Sequence, residues 1–159
     1  MGVPIDGTKT EMIGQLQSKG FDYNSHKDCL NGKFNGRKVK LWIKSQNDKV
    51  WGIKVQYYKT FWNIEDKYNA LYDWFSNGGK YTYVSGQKIG YKEKVSVNSD
   101  GQAMVGYSSE PLSSQETPKA VFKAKDGTIV RIALKDGFMD YLYLYYENPN
   151  NRTEYEGDL

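Results

Sequence analysis

The sequence has very few of the residues that build covalent, metal or catalytic sites. Its 159 residues include one cysteine, Cys29, and one histidine, His26. A single cysteine excludes an intramolecular disulfide, and a single histidine excludes a multi-histidine metal site. His26, Asp28 and Cys29 lie in one short segment, whereas nucleophilic pairs usually come together from distant positions. We therefore expect a surface histidine, a small buried cysteine, no metal site and no enzyme.

Long apolar runs and cofactor motifs are also missing. No stretch approaches the roughly 18 apolar residues of a membrane-spanning helix, so no membrane partner is expected. The first residues, MGVPIDGTKTEM, contain no apolar leader. This predicts a cytoplasmic protein as the chain stands, or a secreted or periplasmic one if a leader was removed. No phosphate loop, dinucleotide fingerprint, nucleophile elbow or calcium loop is present, so no cofactor is expected.

Aromatic side chains and locally concentrated lysines are what the sequence has instead. Its 14 Tyr, 6 Phe and 4 Trp amount to 15% of the chain, a composition that favours strands over disorder. The net charge is only +3, but residues 33–59 carry eight cations and one carboxylate, a local balance of 8 − 1 = +7. Residues 147–159 carry one cation and four carboxylates, or 1 − 4 = −3.

Two helices are predicted. Thr8 and Glu11 match a capping box, and a helix over 9–19 follows and ends at Gly20. The second helix is predicted over 63–75, where Asn63 can cap the start and residues 77–79 end it. Its apolar stripe has helical spacing, with Trp74 at the edge, and comprises Ile64, Tyr68, Leu71 and Phe75.

Strands are predicted in most of the remaining chain. Asn35-Gly36 indicates a tight hairpin, since a type I′ turn needs positive φ at both central residues. Period-two alternation follows: Val39, Leu41 and Ile43 against Lys38, Lys40, Trp42 and Lys44, then Trp51, Ile53, Val55 and Tyr57 against Gly52, Lys54, Gln56 and Tyr58. After residue 80, three Asp-Gly pairs separate further strands, and residues 108–118 are predicted to be a mobile loop.

The order of elements is helix, about three strands, helix, then five or six strands, which suggests a loose duplication of one helix-plus-strands unit. Two helices cannot cover both faces of eight strands. The predicted fold is therefore α+β, with two short helices packed on one face of a curved, mostly antiparallel sheet of about eight strands. Residues 1–148 are predicted to form this single domain, and residues 149–159 a polar, frayed C-terminal tail.

Three stretches, GVPIDGTKTEMIGQLQSKGF, NIEDKYNALYDWF and LYLYYENPNN, together resemble a group of small uncharacterised Bacteroidetes or Bacteroidetes-phage proteins. Members of that group typically begin with a secretion leader, a G-I-P-I-D-G-T-like turn and a short helix ending in K-G-F. The resemblance implies a gut-bacterial or phage source and supplies no catalytic residues. This chain lacks the leader. The order of helices and strands is also similar to the beta-lactamase-inhibitory-protein architecture, in which an open sheet face grips a partner.

One candidate site emerges from the strand pattern: the sheet face opposite the helices. If Leu142 and Leu144 point towards the helices, the tyrosines between them must point away. The predicted binding residues on this outer face are Lys38, Lys40, Trp42, Lys44, Lys54, Tyr58, Tyr141, Tyr143 and Tyr145. Flat aromatic rings offer contact area at a low entropy cost, and lysines attract anions.

Several interpretations of this face stay open. Tyrosine pairs and outward lysines also stabilise and protect sheets, so a purely structural role explains the same pattern. A binding role means either capture of a partner protein or self-association, or else binding of a nucleotide signal or single-stranded nucleic acid. The second would suit a phage or bacterial inhibitor of a host system. A small hydrolase would need a pocket around His26. We favour a non-enzymatic binding protein with a protein partner or a second copy.

Overall fold

The fold contains two helices and ten strands within the residues that the computed structural model describes, namely 2–58, 64–110, 119–135 and 141–152. The helices are α1 (Lys9–Ser18) and α2 (Ile64–Asn77). The strands are β1 (Asp22–Asn24), β2 (Cys29–Phe34), β3 (Arg37–Gln46), β4 (Lys49–Tyr57), β5 (Tyr81–Gly86), β6 (Gly90–Val97), β7 (Ala103–Glu110), β8 (Lys119–Ala124), β9 (Ile129–Lys135) and β10 (Tyr141–Glu147). A 3₁₀ turn, Pro149–Asn151, follows β10.

Eight of the strands form one open antiparallel sheet in the order β1-β2-β3-β4-β10-β9-β8-β5. The predicted α+β class and eight-stranded antiparallel sheet are confirmed. The membership of the sheet differs from the prediction, however. β6 and β7 pair only with each other as a separate ribbon, and β1 and β5, which the sequence pattern did not predict, take the two edges.

The sheet has two similar halves, as the order of elements suggested. In the first half, α1 is followed by β1 to β4 in sequential spatial order. In the second half, α2 is followed by β5, β8, β9 and β10 in sequential order, with the β6–β7 ribbon between β5 and β8. The halves join where β4 and β10 pair antiparallel, with Val55 opposite Leu144. Their outer faces therefore form one continuous surface.

Both helices pack on the same side of the sheet around one core. The capping box of α1 is confirmed, since Thr8 Oγ1 accepts from the Glu11 amide at 3.2 Å and Glu11 Oε2 accepts from the Thr8 amide at 2.8 Å. The predicted stripe of α2 is confirmed too, while Trp74 lies exposed at its edge. The core unites Met12, Leu16, Tyr68 and Phe75 of the helices with Leu41, Val55, Phe122, Ile132 and Leu144 of the sheet.

The predicted hairpin between β2 and β3 is confirmed. Asn35 and Gly36 have φ values of 50° and 74°, as a type I′ turn requires. In β3 the burial then alternates as predicted, since Val39, Leu41 and Ile43 are buried and the residues between them are not.

One part of the strand pattern was wrong. Trp51 was predicted to share the inner face with Ile53, but Val50 occupies the core there, and Trp51 is only half-buried. The cause is a register shift between Lys44 and Ser45, which leaves Trp51 without a paired residue on β3. Such a bulge inserts one extra residue and reverses the parity before it. Neither a glycine nor a proline at this point marks it in the sequence.

The two termini meet at this bulge and hold it. Val50 donates its amide to Gly7 O at 2.9 Å, and Asn148 donates its amide to Trp51 O at 2.7 Å. Asn151 Nδ2 lies 2.9 Å from Val50 O and 3.2 Å from Ile5 O. Residues 149–152, which were predicted to belong to a frayed tail, are therefore docked on the domain.

The remaining predictions fall partly outside the described part of the chain. Residues 153–159, Asn63 and residues 111–118 of the predicted loop lie outside it. The first three residues of that predicted loop, 108–110, belong to β7. Neither described helix has the length and apolar character needed to cross a bilayer.

Candidate binding surface on the outer sheet face

The side chains of β10 alternate between the two faces of the sheet as the sequence predicted. Leu142 and Leu144 are 1% and 0% exposed in the core beneath the helices. Tyr141, Tyr143 and Tyr145 lie half-buried on the opposite face. A second apolar face on this strand is therefore not needed for the core, and it forms part of an open surface.

The structure brings all nine predicted binding residues to this outer face. β3, β4 and β10 are adjacent, and their register aligns the outward residues in rows across the strands. One row is Lys40, Gln56 and Tyr143, and the next row is Trp42, Lys54 and Tyr145. The parity of β3 places Lys38 and Lys44 on the same face, and Tyr58 follows the end of β4.

Six of these residues form a contiguous aromatic–lysine cluster, defined here as Lys40, Trp42, Lys54, Tyr58, Tyr143 and Tyr145. Lys54 Nζ lies 4.3 Å from the centre of the Tyr143 ring and 5.3 Å from that of Trp42. Lys40 Nζ lies 5.7 Å from the Trp42 ring centre and 5.9 Å from that of Tyr58. Both ammonium groups are thus within the range of cation–π attraction, and their stems cover ring surface.

The three outward tyrosines of β10 form a ladder. The ring centres of Tyr141 and Tyr143 are 6.0 Å apart, and those of Tyr143 and Tyr145 are 6.1 Å apart, with tilted planes. Burial, and then the neighbouring phenol, raises the pKa of Tyr143 and of Tyr145 above the ordinary tyrosine value. The hydroxyl groups therefore stay neutral at physiological pH and can donate hydrogen bonds to a ligand.

Lys38 and Lys44 lie at opposite ends of β3, about 20 Å apart at the usual rise per strand residue. Lys38 lines a basic groove of about 960 Å³ between the end of α1, the β2–β3 hairpin and the end of β4. This basic groove is lined by five cations and one carboxylate, namely Lys19, Lys33, Arg37, Lys38, Lys67 and Asp22. Burial, and then the nearby Arg37 charge, lowers the pKa of Lys67.

Lys44 lines a different cavity, which sequence reasoning missed. This arginine pocket, of about 320 Å³, is lined by Lys44, Trp51, Gly52, Arg131, Glu147 and Arg152, with Tyr145 at its border to the cluster. Arg131 Nη2 pairs with Glu147 Oε2 at 3.2 Å, and the Arg152 guanidinium carbon lies 4.6 Å from the centre of the Trp51 ring. The alternation in IVRIALK would have placed Arg131 on this face, but only the bulge reveals Trp51.

The outer face is strongly positive. On the four central strands β3, β4, β10 and β9, the outward side chains within the described residues include five cations and one carboxylate. These are Lys38, Lys40, Lys44, Lys54, Arg131 and Glu147. A surface with this excess attracts acidic partners from a distance and speeds up their association.

The residues considered for catalysis lie apart from this surface. His26 is exposed and Cys29 is 1% exposed, as the sequence indicated. Asp28 accepts hydrogen bonds from Lys9 and from the Tyr23 hydroxyl, and these contacts lower its pKa. In the described ranges, no group of three or more His, Cys, Asp and Glu side chains is placed to hold a metal ion.

Comparison with protein-family models, with curated proteins and with solved structures found no significant match.

Proposed function

We propose that this chain is a non-enzymatic binding protein that grips a partner protein with the outer face of its sheet. The observation that carries this proposal is the aromatic–lysine cluster at the centre of the face opposite both helices. The core is complete without these side chains, since Met12 and Leu16 of α1 and Phe75 of α2 pack on the other side. The cluster thus presents aromatic area that folding of the core does not require.

The cluster is also well ordered for binding. Lys54 is held by the rings of Trp42 and Tyr143, and Lys40 is held by Trp42 and Tyr58. Tyr58 in turn donates its hydroxyl to Asn31 Oδ1 at 3.2 Å. Side chains that are already restrained lose less conformational entropy when a partner covers them, so more of the contact energy appears as affinity.

The arrangement favours a protein over a stacked nucleic acid. Bases that stack on a sheet need free ring faces. Here Lys54 lies over Tyr143, and Tyr145 packs beside Tyr143 with the planes tilted by 34°. Partner carboxylates that pair with the ammonium groups of Lys40 and Lys54 would leave these ring contacts in place.

A matched pair of double variants tests the proposal. Trp42→Ala/Tyr143→Ala removes one indole and one phenol from the cluster. Trp74→Ala/Tyr83→Ala removes the same chemistry from α2 and the β5 edge, where the side chains are 57% and 50% exposed. Proteins retained by the immobilised wild type from an extract of expressing cells are purified, and their Kd is measured against each variant.

We expect the cluster variant to weaken binding at least about tenfold, while the control variant binds like the wild type. Thermal melts establish that each variant is folded. Equal binding by the cluster variant and the wild type would exclude the outer face as the site. Sedimentation of the free wild type tests self-association, in which case the retained partner is the chain itself.

The basic groove supports a second candidate, a binding protein for an anionic ligand such as a nucleotide or single-stranded nucleic acid. Lys33→Ala/Arg37→Ala removes two groove cations and leaves the aromatic–lysine cluster intact. Titrations use AMP and an oligothymidylate as probes. Binding that weakens steeply with added salt and in this variant supports the candidate. Salt-insensitive binding, or none, rejects it.

A further inference from the structure

The arginine pocket adjoins the aromatic–lysine cluster and differs from it in chemistry. Tyr145 belongs to the cluster and also lines the pocket, so a ligand on one contacts the border of the other. The pocket walls come from β3, β4, β9, β10 and the C-terminal turn. Three cations, Lys44, Arg131 and Arg152, surround one carboxylate, Glu147. Their sum is 3 − 1 = +2, so the pocket favours an anion.

The hydrogen bonding of Arg131 is incomplete. Its guanidinium gives Nη2 to Glu147 Oε2, and 33% of the side chain is exposed. Its Nε, however, is buried and has no hydrogen-bond partner within the residues that the structure describes. A buried donor without an acceptor is unusual in folded proteins and indicates an acceptor supplied from outside the chain. An oxyanion in the pocket would supply it after a small rotation of the guanidinium.

Three further features shape the pocket for a small anionic group. Gly52 has no side chain, and a Cβ at this position would lie 3.7 Å from both Lys44 Cβ and Glu147 Cγ. The glycine therefore keeps the floor open between these two side chains. Arg152 lies over the Trp51 ring and forms one wall. The volume of about 320 Å³ is at the lower end for ligand sites and suits a side chain better than a nucleotide.

We propose that the arginine pocket is the anchor subsite of the outer face and receives an aspartate or glutamate side chain of the partner protein. This inference rests on the proposed function, because it assigns the chemistry of the partner at one end of the same surface. A carboxylate there forms charge-assisted hydrogen bonds with the guanidinium groups of Arg131 and Arg152 and meets the ammonium of Lys44. Anchors of this kind, seated in pockets, dominate the energy of many interfaces.

The test uses defined probes and therefore does not require the natural partner. Two blocked synthetic peptides differ only in a central Glu or Gln, and inorganic phosphate is the third probe. The readouts are the ¹H–¹⁵N resonances of the Trp51 indole N–H and the Arg131 Nε–H. We expect the Glu peptide to shift both resonances with a Kd of roughly 1–10 mM, and the Gln peptide to shift neither.

Variants complete the test. Arg152→Ala and, independently, Lys44→Ala should each weaken the Glu peptide at least about threefold, whereas Lys125→Ala, in an exposed turn, should not. Equal shifts from the Glu and Gln peptides, or unchanged affinity in both pocket variants, would overturn the proposal. Binding of phosphate without binding of the Glu peptide would overturn the carboxylate assignment.

Failure of this inference can be told apart from failure of the proposed function. Trp42→Ala/Tyr143→Ala should leave the peptide titration intact, because neither residue lines the pocket. Partner binding that depends on the cluster without any Glu-specific shift rejects the anchor and keeps the outer face. A Glu-specific shift with partner binding that ignores the cluster keeps the pocket and rejects the outer face.

Discussion

Lys54 on β4 holds its ammonium 4.3 Å from the centre of the Tyr143 ring on β10, across the junction of the two halves of the sheet. In the register, Lys54 lies opposite Tyr145, so it reaches Tyr143 diagonally. The contact therefore links the two halves on the outer face, as Val55 and Leu144 link them in the core. A stabilising role and a binding role for this face are compatible, and they can be measured separately.

A double-mutant cycle measures the stabilising role. Lys54→Met keeps the side-chain stem and removes the charge, and Tyr143→Leu removes the aromatic ring. We expect a coupling energy of about 0.5–1 kcal/mol in urea unfolding, the range of a partly exposed cation–π pair. The control cycle combines Lys44→Met with Tyr143→Leu. Additive effects in the first cycle would show that the contact contributes nothing to stability.

The C-terminal turn supports a second prediction. Asn151 is 7% exposed and donates to Val50 O, Ile5 O and Asp6 Oδ1. Asn151→Ala leaves buried carbonyl groups without a donor, so it should lower the free energy of unfolding by about 2–3 kcal/mol. Asn150→Ala, at the exposed neighbouring position, should change it by less than about 0.5 kcal/mol. Similar stabilities for the two variants would mean that the turn does not hold the bulge.

Much of the fold follows from local patterns. The spacing of Thr8 and Glu11 predicts the capping box, Asn35-Gly36 predicts the hairpin, and alternation assigns the inner and outer residues of β3 and β10. Each of these rests on interactions between residues a few positions apart, or on one buried face per strand. The outer-face cluster could be predicted for the same reason, since parity alone separates Tyr143 from Leu144.

The arginine pocket could not be predicted in this way. Its wall pairs Trp51 with Arg152, and the bulge that turns Trp51 outward is held by a hydrogen bond from Asn151 to Val50, 101 positions earlier. Contacts of this kind depend on the tertiary structure and leave no periodic signal in the sequence. The edge strand β5 was missed for a related reason. Tyr81, Thr82 and Tyr83 do not alternate between apolar and polar, because an edge strand is only partly covered.

Two glycines near the β6–β7 ribbon give a third, contrasting prediction. Gly86 has a φ of +95°, and a Cβ there would collide with the backbone of Lys119 and Ala120. Gly86→Ala should therefore cost about 3 kcal/mol or more in stability, as strain and overlap add. Gly90 has no heavy atom within 4 Å of a built Cβ, so Gly90→Ala should cost less than about 1 kcal/mol. Urea unfolding of both variants measures the difference, and equal losses would contradict the close approach of β5 to β8.

Alkaline pH should destabilise the protein through its buried tyrosines, and Tyr57 is the case with a defined range. Burial raises the pKa of Tyr57 from 10.0 to about 12, with the nearby Arg37 charge opposing the shift. Between these values the folded state keeps a proton that the unfolded state loses. The stabilising contribution is therefore complete below pH 10 and declines as the pH rises towards 12.

Tyr57→Phe removes this titration. Relative to its own value at neutral pH, the variant should lose less unfolding free energy than the wild type, by about 1 kcal/mol near pH 11. The matched control is Tyr58→Phe, which removes the hydroxyl of the adjacent tyrosine, 47% exposed, and should retain the wild-type alkaline slope. Urea unfolding at neutral pH and near pH 11 provides the measurement. An unchanged slope in Tyr57→Phe would show that the Tyr57 hydroxyl ionises as readily in the folded chain as in the unfolded one.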